Sequence, residues 1–167
     1  MGVLQKLNFG VAGAGARGPS LARDLDAVDS VRVHAICDTD PELLDRATRL
    51  LGASESYLDY EAMLAESDID AVIITTPMPH HAPQAIAALR KGIHVLSEVT
   101  AGVSIEECRQ LVQVCRESSA TYMMAENYTY MRPNQIVREM VGRGLFGTPY
   151  YAEGEYLHEL KRRNETT

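Results

Sequence analysis

The sequence lacks the cysteine framework of a disulfide-stapled protein. Cys37, Cys108 and Cys115 are its only cysteines; they form no CxxC and no Cys/His cluster, and an odd count pairs poorly. They read as small core residues, with Cys108 and Cys115 sharing the buried face of one helical stretch. No apolar run reaches membrane-spanning length. Residues 1–6 have no long apolar core followed by small residues, so they do not read as a secretion signal. Positive charge is scarce too: sixteen basic against twenty-three acidic residues leave a net charge of −7, and the one basic run is Lys161, Arg162, Arg163. That balance disfavours nucleic acid and anionic membrane as partners. His80 and His81 are adjacent but have no third ligand at metal-site spacing, so no metal centre is expected. These absences leave a cytoplasmic protein that handles small molecules.

What is present begins at once. The apolar run Leu7 to Ala12 feeds into Gly13, Ala14, Gly15, Ala16, Arg17, Gly18, a complete GxGxxG. The first glycine permits the tight strand-to-helix turn, the second lets a pyrophosphate approach the backbone, and the third lets helix pack close on strand. Free N–H groups at the helix start then face the phosphates. A second apolar run, Val31 to Cys37, ends in Asp38, about twenty residues past the last glycine, where a carboxylate meets the adenosine ribose hydroxyls. A glycine pattern alone arises by chance; strand before, helix after and acid at this distance make it a dinucleotide fingerprint. Asp38 repels a 2′-phosphate, and neither Thr39 nor Asp40 is the arginine that usually accommodates one, so NAD is favoured over NADP. Arg17, inside the loop, keeps a phosphate contact open.

Further along, Asp40 and Pro41 form an N-cap and N1 pair for a helix that stops at Gly52. A short third strand is expected around Tyr57 and a brief helix over Tyr60 to Ala65. Ile69 to Thr76 reads as a buried parallel strand, because Ala71, Val72, Ile73, Ile74 run without polar alternation. A helix Ala82 to Lys91, a buried strand Ile93 to Ser97, a helix opened by the Ser104-Ile105-Glu106-Glu107 capping box and a strand Thr121 to Ala125 follow. Strands alternating with helices at this spacing predict an α/β fold, a doubly wound parallel sheet of the Rossmann type, complete by about Asn127. Ligands of such sheets lie across the carboxyl ends of the strands. That rule selects Ala12 to Gly18, Asp38, Thr75 to His81, Glu98 and Asn127. His94, at the start of a buried strand, reads as a hydrogen-bonded structural histidine.

Two stretches carry a more specific resemblance. Thr76-Pro77-Met78-Pro79-His80-His81 and Gly92-Ile93-His94-Val95-Leu96-Ser97-Glu98 resemble the TPNxxH and GKHVxxEKP signatures of the glucose-fructose oxidoreductase, inositol dehydrogenase and rhizopine-catabolism (Gfo/Idh/MocA) family. Glu126-Asn127 and Gly144-Leu145-Phe146-Gly147 also resemble it. The resemblance implies an NAD-dependent oxidoreductase that moves hydride between the nicotinamide and a secondary alcohol of a sugar or cyclitol. It implies cofactor contacts from Gly13, Gly15, Gly18, Asp38, Thr76, Pro77, Met78, His81 and Glu98. Two positions depart from the pattern. Met78 stands where asparagine is common. Val99 and Thr100 replace the lysine and proline of EKP, and valine neither carries charge nor donates a hydrogen bond to a reacting hydroxyl. The variant resembles members with EVP, among them NAD-dependent glycosidases that oxidise a sugar transiently, eliminate, and return the hydride. A non-catalytic NAD-binding module is the third alternative.

From Tyr128 the composition turns tyrosine-rich. Pro133 to Arg143 reads as an amphipathic helix, and Pro149 to Leu160 as a strand with Tyr150, Ala152, Gly154, Tyr156 and His158 on one face. One strand without neighbours needs a sheet that this sequence does not contain. The expectation is a nucleotide-binding domain over 1–127 and, over 128–167, the beginning of a substrate and oligomerisation domain. The chain is then a fragment of a longer protein or completes its sheet by dimerising, and the resemblance implies homo-oligomers through that sheet. His158 is the first candidate general acid or base, against a substrate-side or structural role, and Tyr156 and Lys161 are weaker candidates; alone, the chain is expected to bind NAD without turnover.

Overall fold

The computed structural model describes residues 6–155 and Leu157. The elements are β1 (Leu7–Ala12), α1 (Arg17–Asp26), β2 (Val31–Cys37), α2 (Pro41–Leu51), β3 (Glu55–Tyr57), α3 (Tyr60–Glu66), β4 (Ala71–Ile74), a 3-10 turn (Met78–His80), α4 (His81–Arg90), β5 (His94–Glu98), α5 (Ile105–Glu117) and β6 (Tyr122–Ala125). The six strands form one parallel sheet in the order β3-β2-β1-β4-β5-β6. The order reverses between β1 and β4. A doubly wound sheet opens its binding crevice at that reversal, outside the carboxyl ends of the strands.

Both faces of the sheet are covered, which is why its central strands are apolar without alternation. All four residues of β4 are buried. Successive strand residues still point to opposite faces. Val11, Ile36 and Ile73 join Ala22, Leu44 and Ala47 on the α1/α2 side. Ala12, Ala35, Cys37, Val72 and Ile74 join Met63, Leu89, Leu111 and Val114 on the side of α3, α4 and α5. The helix ends obey their local chemistry. Asp40 caps α2 through Glu42 N at 2.9 Å and Leu43 N at 3.2 Å, and Gly52 closes it in the left-handed conformation at φ 63°. Ser104 Oγ accepts from Glu107 N at 3.1 Å, and Glu107 Oε2 reaches back to Val103 N at 2.7 Å. The capping box is therefore reciprocal, one residue further back than expected.

The sheet unit ends at Glu126, and a second unit begins at Asn127. The second unit holds a 3-10 turn (Tyr128–Tyr130) and α6 (Arg132–Gly142). The strand expected over Pro149 to Leu160 is corrected for its described part: residues 149–155 are exposed and carry no strand assignment. Extended backbone becomes a strand only when a neighbour accepts and donates its hydrogen bonds, and no described residue pairs with this stretch. Tyr156, His158 and Lys161 lie outside the described residues. A smaller correction concerns α5, whose buried residues are Leu111 and Val114; Cys108 and Cys115 are only half-buried. His94 is hydrogen-bonded as expected, its Nδ1 accepting from Thr121 N at 2.8 Å, but exposed.

Candidate functional site: the carboxyl ends of the strands

The glycine loop is tied to three strands at once. Gly13 N donates to Cys37 O at 2.9 Å and Thr75 N to Ala12 O at 2.8 Å. The Thr75 hydroxyl lies 3.0 Å from both Ala12 O and Gly13 O. Gly13 adopts φ 98°, a conformation that costs a side-chain-bearing residue strain. A Cβ there would sit 2.8 Å from the Thr75 carbonyl. At Gly18 a Cβ would collide with Gly13 O and approach Thr75 Oγ1 to 2.8 Å. Gly15 is different: a Cβ would meet nothing within 4 Å. The first and third glycines thus serve packing, whereas the second keeps space clear beside the backbone. Ala16, at the N-cap of α1, supplies no side-chain cap, and a helix start of this kind is where an anion finds backbone N–H donors.

Asp38, directly after β2, is held by backbone. Its Oδ2 accepts from Ala14 N at 2.6 Å and its Oδ1 from Asp40 N at 2.9 Å. Each carboxylate oxygen can accept a further hydrogen bond, and Asp38 lines a cavity of about 670 Å³ with Ala12, Gly13, Gly15, Cys37, Thr39, Leu43, Leu58, Asp59, Tyr60, Thr75, Thr76, Pro77, His80 and Gln84. Its size and mixed lining suit a nucleotide half. Leu58, Asp59 and Tyr60 follow β3 and were not expected in the site. The rule of carboxyl ends applies to β3 as it does to its neighbours, and a strand of three residues left too weak a sequence signal to apply it. Cys37 is chemically quiet here: burial, then the carboxylates of Asp38 and Asp59, push its thiol up to about 12. Burial likewise raises the Tyr60 phenol, which donates to Gln84 O at 3.0 Å.

The loop after β4 carries Thr75, Thr76, Pro77 and Met78. The Thr76 hydroxyl bonds Gln84 Oε1 at 2.6 Å. His81 departs from the expectation of a direct cofactor contact. It is buried at 1% exposure, with Nε2 2.6 Å from Thr76 O and Nδ1 2.8 Å from Thr100 O. Its ring is spent on joining the loop after β4 to the loop after β5, and its neighbour His80 lines the cavity instead. Met78 is half-exposed and lies outside the cavity lining. At the end of β5, Glu98 Oε1 accepts from Arg17 Nε at 2.9 Å. Glu98 Oε2 is buried and bonds to no described residue. The next peptide bond, Val99–Thr100, is cis. Asn127, also selected from the sequence, opens the second unit as the N-cap of its 3-10 turn.

Residues 7–126 match the family described as an oxidoreductase family with an NAD-binding Rossmann fold, Gfo/Idh/MocA. The chain belongs to this family. It is 35% identical to a glycosyl hydrolase family 109 protein from Shewanella pealeana, an alignment covering 95% of this chain and 37% of the relative. It is 34% identical to an alpha-N-acetylgalactosaminidase from Shewanella oneidensis, over 95% of this chain and 36% of the relative. The chain thus spans little more than a third of these relatives' length. Among solved structures, the scyllo-inositol dehydrogenase of Lactobacillus casei with bound NAD(H) and scyllo-inositol is similar, with a TM-score of 0.81 and 27% identity over 86% of this chain and 43% of that one. The cofactor of this Rossmann fold is NAD, and the residues fit it: a glycine with open space beside it, an uncapped helix start and a backbone-pinned carboxylate are what a dinucleotide requires. No helix among the described residues is long and apolar enough to cross a membrane.

Proposed function

We propose that this chain is the nucleotide-binding part, residues 1–127, of an enzyme that moves hydride between NAD and a secondary alcohol of a sugar or cyclitol. Residues 128–167 begin a substrate and oligomerisation domain. The observation that carries the reading is the Asp38 carboxylate, held by Ala14 N and Asp40 N in the lining of the cavity.

In this reading Asp38 takes the adenosine ribose hydroxyls, and Gly13 to Gly18 with the first turn of α1 take the diphosphate. Thr75, Thr76, Pro77, Met78 and Glu98 serve the nicotinamide half on the β4–β5 side, beyond the switch point. Asn127 is the last residue assigned to the cofactor. When bound, NAD supplies the hydride acceptor at its nicotinamide. The chain's residues bind and orient; the proton acceptor for the alcohol is assigned elsewhere, because Val99 cannot take a proton. His158 is the chain's candidate for that proton. The chain alone is expected to bind NAD without turnover.

A second reading is favoured by Val99 and by the glycosidase names among the relatives. Here the sugar is oxidised transiently, the leaving alcohol is eliminated, water adds to the unsaturated sugar and the hydride is returned, so the net reaction is glycoside hydrolysis. The test uses the chain and the longest natural form that carries it, supplied with NAD and substrates deuterated at the carbinol carbon. Deuterium recovered in free NADH supports net oxidation. Release of the leaving alcohol from a glycoside with no accumulated NADH supports the second reading. Neither result from a broad panel, with NAD bound, rejects both.

A further inference from the structure

The ion pair between the glycine loop and the end of β5 spans residues 81 positions apart, Arg17 Nε on Glu98 Oε1 at 2.9 Å. The two partners are unequally exposed, 42% for the Arg17 side chain and 15% for Glu98. The glutamate is thus an almost buried charge, and its second oxygen accepts no hydrogen bond from the described residues. A carboxylate in that position acts strongly on any charge brought next to it, since little water screens it. Arg17 is the nearby counter-charge that offsets it.

We propose that Arg17, acting through Glu98, sets the preference of the site between the oxidised and reduced cofactor. The inference rests on the placement of the nicotinamide half on the β4–β5 side. The nicotinamide ring carries a positive charge in NAD+ and none in NADH. An uncompensated Glu98 carboxylate therefore favours NAD+, and the Arg17 guanidinium cancels part of that bias. The two forms do not differ at the diphosphate or the adenosine. Any contact Arg17 makes with phosphate affects both alike and drops out of the affinity ratio. Arg17 is a positioning residue, and the ratio is a readout that a merely structural role does not move. Sequence spacing gives no hint of the pair. Only the folded sheet brings the α1 start beside the β5 end.

The experiment is calorimetric titration of NAD+ and NADH into the chain and into Arg17→Ala, Arg17→Lys and Glu98→Gln. Arg17→Ala is expected to raise Kd(NADH)/Kd(NAD+) about fivefold, a modest figure because Arg17 is partly exposed to screening water. Glu98→Gln should move the ratio the opposite way, and Arg17→Lys should leave it within about twofold of wild type, since the charge is kept. Ratios unchanged or reversed in both Arg17→Ala and Glu98→Gln overturn the proposal while leaving the placement of the cofactor intact. Failure of the wild-type chain to bind either form overturns the placement and the proposal together.

Discussion

Asp38 Oδ2 accepts a hydrogen bond from Ala14 N at 2.6 Å, so the acid that ends β2 and the loop that ends β1 are one rigid unit. The bond orients the carboxylate and ties the loop to it. Asp38→Ala removes both effects. It should weaken NADH binding by about tenfold or more, the loss of a charge-assisted hydrogen bond to the ligand, and relax discrimination against NADPH. Titration of both nucleotides into the variant checks this. Unchanged affinity for both would remove Asp38 from the site.

Gly15 and Gly18 should respond oppositely to the same substitution. Gly18→Ala drives a methyl group into Gly13 O and against Thr75 Oγ1, and a backbone carbonyl anchored by strand neighbours cannot yield. Destabilisation of about 2 kcal/mol or more is expected in urea unfolding. Gly15→Ala meets no protein atom, so stability should stay within about 0.5 kcal/mol. NADH affinity should nonetheless fall, because the new methyl occupies the space reserved for the diphosphate.

Much of this was legible in the sequence. The four-residue run Ala71 to Ile74 can only be buried on both sides, and that alone implies a sheet covered by helices. The glycine spacing and Asp38 identified the crevice because each obeys a local rule with a fixed distance. What could not be read depended on contacts made after folding. His80 and His81 are adjacent and alike in sequence, yet one lines the cavity and the other is buried between two carbonyls; the turn from 3-10 to α-helix decides which. The stretch after Pro149 alternates as a strand should, but alternation describes faces, whereas a strand also needs a partner.

His81 bridges Thr76 O and Thr100 O across two loops. A neutral ring donates to only one of them, and a protonated ring to both. Whichever form is present, His81→Ala takes a donor from these loop carbonyls and opens a cavity at a buried position. A loss of about 2 kcal/mol is expected in thermal or urea unfolding. NAD affinity should fall as well, since the Thr76 loop loses its anchor. His81→Gln, which keeps a donor of similar reach, should recover part of both losses. Wild-type stability in His81→Ala would show that the bridge holds nothing.

Cys37 makes the fold sensitive to alkali. Its thiol is raised from the usual 9.0 to about 12 by burial and by neighbouring carboxylates. The folded state therefore keeps the proton that the unfolded chain has already released. Stability from this group is complete below about pH 9 and is lost as the pH rises toward about 12. Urea unfolding followed across that range should show the decline, and Cys37→Ala should remove this part of it. In the native chain Cys37 should also react with iodoacetamide far more slowly than a free thiol near pH 8. Equal reactivity would contradict its burial.

Asp38 is the proposed selector of an NAD site at the strand ends. The most direct measurement is calorimetric titration of NADH and NADPH into the wild-type 167-residue chain. One site per chain is expected, with NADH bound at least about tenfold more tightly than NADPH, because the Asp38 carboxylate repels the 2′-phosphate. Equal affinity, or preference for NADPH, would contradict it.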